Sequence, residues 1–201
     1  MLFNGSRLIG CPVLSLHVGG QVASITELIV EPDNLKIIAC RVSGPLVGKE
    51  VGEILPMESV REFSRLGMIV DSADEFVEPD EIIRIKKVLD LNFHLVGLKV
   101  ESKQGAKLGK VSDFTLEPST WQIQQLIVQR PLIKAFIDPE LTISRNRIDE
   151  VNDYKVILKE EKETPKSKAK VAKNDFVSSF VNPFREPDFA TETRTKNHEQ
   201  E

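Results

Sequence analysis

Two cysteines, three histidines and one dense run of carboxylates are the residues of this 201-residue chain whose chemistry could matter. Cys11 and Cys40 are too far apart for a CxxC redox pair or a zinc knuckle, and two thiols make no disulfide framework. Each aligns with a leucine in a second copy of the same pattern, Leu98 and Leu126, which makes them thiols of a core. Arg41 beside Cys40 falls on the other side of a strand and does not activate it. His17, His94 and His198 have no carboxylate at ligand or triad spacing. Asp71 to Glu81 holds six carboxylates in eleven residues, yet no glycine supplies the sharp turn of a calcium loop. That run reads as a solvated linker. The expectation is a protein without catalytic residues, metal or cofactor.

Two other clusters point to binding. Arg130 and Lys134 flank an apolar loop, and Arg145 and Arg147 follow shortly, a basic patch for anionic lipid, RNA phosphate or an acidic protein tail. Near the C-terminus, Phe176, Phe180 and Phe184 recur every four residues with Val177 and Val181 on the same side. A helix there carries one apolar stripe, with Asn174 or Asp175 to cap its start and Pro183 to end it. So short a helix is not stable alone in water, so it needs a surface. The leading expectation is a groove on a partner protein, with i, i+4 anchors. Folding back on its own chain and lying on a membrane are the alternatives, the latter helped by Lys166, Lys168, Lys170 and Lys173.

The elements that must position these residues come from a repeat. Leu8-Ile9-Gly10-Cys11-Pro12-Val13 matches Leu95-Val96-Gly97-Leu98-Lys99-Val100, and the stretch from Val22 to Glu31-Pro32 matches Leu108 to Glu117-Pro118. Leu35-Lys36-Ile37 then pairs with Trp121-Gln122-Ile123. Each copy reads as about five short strands: Pro12 to Leu16, Gln21 to Val30, Leu35 to Val42, Val51 to Leu55 and Met68 to Val70 in the first, with Leu141 to Ser144 and Tyr154 to Leu158 ending the second. Sheets this small hide their edges best by closing, so two barrels are expected. Between them, residues 80–90 have apolar residues at helical spacing behind Pro79, acids first and Lys86-Lys87 later. From Lys159 the composition is that of a disordered tail. The expected organisation is all-β: barrel 1 over 1–70, an acidic linker with a short helix over 71–91, barrel 2 over 92–158, and a tail over 159–201 carrying the Phe motif at 174–184.

The pattern of Leu-(Ile/Val)-Gly-x-x-Val, a glycine hairpin, a strand ending in Glu-Pro and a following apolar strand resembles the PRC-barrel family over residues 6–70 and again over 92–158. That family includes the cytoplasmic domain of the photosynthetic reaction-centre H subunit and the C-terminal domain of a ribosome-maturation factor. The resemblance implies a barrel used for docking to macromolecules and carries over no active-site residue. The expected role is an adaptor or assembly factor for protein partners, with RNA binding through the second barrel as one alternative and a peripheral role at photosynthetic membranes as another. No apolar run approaches the ~20 residues of a membrane helix, and the first residues lack a secretory pattern, so a cytoplasmic location is expected.

Overall fold

A computed structural model describes residues 2–131 and 139–159. In the first repeat the strands are β2 (Pro12–Ser15), β3 (Gly20–Glu31), β4 (Lys36–Ser43), β5 (Ile54–Pro56), β6 (Glu62–Ser64) and β7 (Gly67–Val70), preceded by the short β1 (Phe3–Asn4). In the second they are β8 (Lys99–Ser102), β9 (Lys107–Glu117), β10 (Gln122–Gln129), β11 (Glu140–Ser144), β12 (Ile148–Val151) and β13 (Lys155–Leu158). One helix, α1 (Ile83–Asp90), lies between the repeats. No helix of the described residues is long and apolar enough to cross a membrane.

The repeat seen in sequence is a repeat of register. Val13 opposes Ala23 as Val100 opposes Gly109, and Leu14 opposes Gln21 as Glu101 opposes Lys107, with a bulge at the same step of each hairpin. Leu28 opposite Cys40 corresponds to Phe114 opposite Leu126, again with matching bulges on both sides. Within each copy the first and last strands pair in parallel, β2 with β7 and β8 with β13, which draws the ends of the copy together. Met57–Ser59 and Arg145–Arg147 are equivalent 3₁₀ turns. The closed barrels expected from the sequence are not what the hydrogen bonds draw. Among the described residues no ladder joins β5 to β6 or β11 to β12, and all strands belong to one mixed thirteen-stranded sheet.

The two copies join directly. Lys36 of β4 stands opposite Gln122 of β10, the Ile37 N–H donates to the Trp121 carbonyl at 2.9 Å, and the Ile123 N–H donates to the Leu35 carbonyl at 3.0 Å. Since Leu35 and Trp121 are equivalent, this contact lies on a pseudo-twofold axis. Both residues have left-handed backbone, φ 51° and 58°, uncommon for side chains with a Cβ, and both are buried. That conformation turns each side chain into shared core. Trp121 meets the ring of Phe63, on β6 of the other repeat, at 5.7 Å, and Phe63 meets Phe3 at 5.1 Å. The main core accordingly runs without a break through both repeats, from Val13, Ile37 and Met68 to Ile123, Leu126 and Val156. These side chains lose nearly all their water contact, which at ~25 cal/mol per Å² is the main force holding the fold.

The helix begins at Ile83, later than the sequence suggests, with Asp80 and Glu81 in the turn before it. It covers the outer face of the first repeat only. Ile85 and Val88 pack with Ile29, Ile38, Ala39 and Ile54 in a second, smaller core, and the Arg84 guanidinium forks onto Glu31 at 2.8 and 2.7 Å. This explains a local difference between the copies: β4 is apolar on both faces (Ile37-Ile38-Ala39-Cys40), whereas β10 has glutamines at its bulge between the buried Ile123 and Leu126. The acidic stretch also adds structure, since Val77 bridges to Ile54 beside β5 and Asp71 pairs with Arg61 at 2.7 Å.

Candidate functional site

The basic residues singled out in sequence do not form one surface. Arg130 follows β10 at the end where Gln129 opposes Glu140; Arg145 follows β11 at the end where Ser144 opposes Gln125. Four residues of ladder, roughly 13 Å, separate those ends. Arg145 and Arg147 share the 3₁₀ turn before β12. Lys134 and the motif Phe176, Val177, Phe180, Val181, Phe184 lie outside the described residues.

Of the two thiols expected in the core, Cys40 lies there and Cys11 is only partly buried against its edge. Cys40 is fully buried, opposite Leu28, and burial pushes its thiol far above its ordinary pKa; half-buried Cys11 is raised for the same reason. Neither is in a disulfide. His94 sits at the surface with Nε2 3.4 Å from Glu27, and among the described residues no cluster of His, Cys, Asp and Glu is arranged to hold a metal ion. Two carboxyls are held below their ordinary pKa, and each has a structural partner as the main cause: Arg84 for Glu31 and Lys155, at 3.0 Å, for Glu101.

Two concave surfaces stand out. The first lies on the pseudo-twofold axis, a cavity of about 330 Å³ between β3 and β9. Each repeat sends the segment before its first strand across to the other. Ser6 donates from its N–H (3.0 Å) and its Oγ (2.6 Å) to the Asp113 carboxylate of β9, while His94 reaches Glu27 of β3; Glu27 and Asp113 are equivalent positions. Ile9 and Val96, also equivalent, sit on the rim at 48% and 52% exposure, and Leu28, Phe93 and Phe114 line the interior. Gly5 lies against the Phe114 ring so closely that no Cβ fits between them.

The second is a cavity of about 440 Å³ in the second repeat, bounded by Lys99, Glu101, Lys107, Lys110 and Arg130 over the backbone of Val100 and Gly109. Lys99 directly opposes Lys110 on β9 and, on its other side, Lys155 on β13. Gly109, at φ 152°, passes so close to the Gln129 carbonyl that a Cβ has no room, which brings the floor down to bare backbone. This lysine row was missed in sequence, although aligning the repeats contains the signal: Pro12, Gln21 and Ser24 stand where Lys99, Lys107 and Lys110 do.

Comparison with protein-family models finds no match to this chain, and comparison with curated proteins finds none either.

Proposed function

We propose that the chain is a non-enzymatic docking protein, a tandem platform of two PRC-type units that holds protein partners. The PRC-type reading is supported by the strand order of each repeat, in which the first and last strands pair in parallel and curl the unit toward a barrel.

The observation that carries the docking role is the groove on the axis. Two β-branched side chains, Ile9 and Val96, are left half exposed at equivalent positions beside an apolar cavity, where each repeat sends a segment across to the other. Apolar side chains brought together at a concave surface are what a protein partner covers. In this reading Phe176, Phe180 and Phe184 present a second, separate contact in trans.

The test uses full-length protein and two variants, Ile9→Asp/Val96→Asp and Phe176→Ala/Phe180→Ala. Each is used for quantitative affinity capture from the source cells, followed by reconstitution with the purified partner. Loss of a defined partner from either variant, reproduced with purified components, supports the role. Retention of every partner by both variants refutes it.

A further inference from the structure

We infer that the lysine-walled concavity of the second repeat is a docking site for an acidic, extended peptide segment of a protein partner. The inference rests on the docking reading above but uses a different surface.

Comparison of the repeats separates what the fold needs from what has been added to it. The hairpin of β2 and β3 is built in the same register, with the same bulge, as that of β8 and β9. It is built with Pro12, Gln21 and Ser24, so the backbone does not need lysines at 99, 107 and 110. Like charges directly opposed on neighbouring strands destabilise a sheet, and Lys99 is opposed by lysine on both sides. Lys155 is compensated by Glu101 at 3.0 Å. Lys99, Lys107 and Lys110 are exposed and have one carboxylate among them, Glu101, which faces Lys107 across the ladder, feels the charge of Lys99 and Lys107, and is already bonded to Lys155. Four lysines around a single carboxylate leave a net positive row that costs stability, and an external anion accounts for the excess.

The shape of the site selects the anion. The row spans three strands, roughly 10 Å, too narrow for the successive grooves over which duplex RNA is recognised. No aromatic ring lines the cavity, so single-stranded bases have nothing to stack on. The floor is backbone and Pro131, which suits small apolar side chains. Lys110 and Lys107 stand opposite Lys99 and Glu101, one two-residue step apart along β8, roughly 6.6 Å, and Lys155 offsets the Glu101 charge at 3.0 Å, so the cations of the two steps are Lys99 with Lys110 and then Lys107. Carboxylates at alternate positions of an extended peptide have the same spacing and project on one side. Lysine ammonium groups, as point charges, accept them without the fixed geometry that a phosphate clamp of arginines imposes.

The test measures binding of a fluorescein-labelled peptide of alternating Glu and Val to the full-length protein by anisotropy at about 20 mM salt, where surface charges are little screened. Amide chemical-shift mapping locates the bound peptide, and a Gln-Val peptide serves as control. Binding of the Glu-Val peptide alone, with shifts on β8 and β9, is expected. Lys99→Glu/Lys110→Glu should weaken it by about tenfold or more, and raising salt should weaken it in the wild type. Lys110→Glu alone places opposite charges across from each other, so it should raise Tm by about 1–3 °C while reducing binding; a merely structural row gives no such opposition of stability and binding.

Equal binding to wild type and the double variant overturns the inference, as does absence of binding at low salt. Single-stranded oligouridylate that binds the same strands and displaces the peptide overturns the peptide class in favour of nucleic acid. None of these results touches the docking role itself, which is judged by the axis-groove and Phe-motif variants.

Discussion

Replacing Trp121 tests the claim that the two repeats are one folding unit. Trp121 is only 9% exposed and its ring meets Phe63 of the other repeat at 5.7 Å, edge on. Truncating a buried Trp to Ala costs about 3–5 kcal/mol, of which the ring pair contributes ~0.5–1.5. Against a whole-domain stability of ~5–15 kcal/mol this is a large fraction. The backbone supplies a sharper check. At φ 58° a residue with a Cβ pays roughly 1 kcal/mol that glycine does not. Trp121→Gly should therefore be more stable than Trp121→Ala by about 1 kcal/mol, the reverse of the order in an ordinary strand. Urea unfolding followed by far-UV circular dichroism measures all three proteins; the wild type is also followed by fluorescence, since the chain has a single Trp. A double-mutant cycle with Phe63→Leu should return a coupling of about 1 kcal/mol. One cooperative transition is expected for both repeats. Two separate transitions, a cost for Trp121→Ala below about 1 kcal/mol, or Gly less stable than Ala would each refute this account.

Other consequences are more local. Glu31 is held below its ordinary pKa by Arg84, so the pair adds stability that is present above the unfolded carboxyl value of about 4.3 and is lost as pH falls through the lower native value. Arg84→Ala should remove that part of the acid dependence and, because the pair is partly exposed, cost about 0.5–1 kcal/mol near neutral pH, read from denaturation at several pH values. Gly5→Ala forces a methyl into the Phe114 ring and should destabilise by about 1–3 kcal/mol in urea unfolding. Thiol alkylation of the native protein should modify Cys11 slowly and leave Cys40 untouched until urea unfolds the chain; fast modification of both would contradict the burial described for Cys40.

Much of the architecture is legible along the chain because it depends on local periodicity. Glycine hairpins, the two Glu-Pro turns and β-branched runs locate the strands from Pro12 to Val42 and their counterparts nearly to the residue, and the match of Cys40 with Leu126 correctly puts both in the core. The acidic run and the helix behind it are also readable, although the helix starts later than its first acids suggest. The candidate sites are less legible. Arg130 and Arg145 are near neighbours in sequence, but the β10–β11 ladder holds them at opposite ends. Lys99 and Lys110 are separated by a hairpin that puts them face to face.

What the sequence alone determined is the repeated β unit, its strands and its inward-facing side chains, because alternation and turn chemistry act over a few residues. What the tertiary structure decided is how the copies use one another. Strand register aligned lysines that the sequence scatters, and helix packing covered the second apolar face of β4, a cover that β10 does not need. The left-handed backbone at Leu35 and Trp121, together with the mutual hydrogen bonds between their strands, joined two units into one sheet and one core. These are long-range choices among surfaces that local sequence leaves equivalent, settled by which arrangement buries the most apolar area while pairing buried backbone groups.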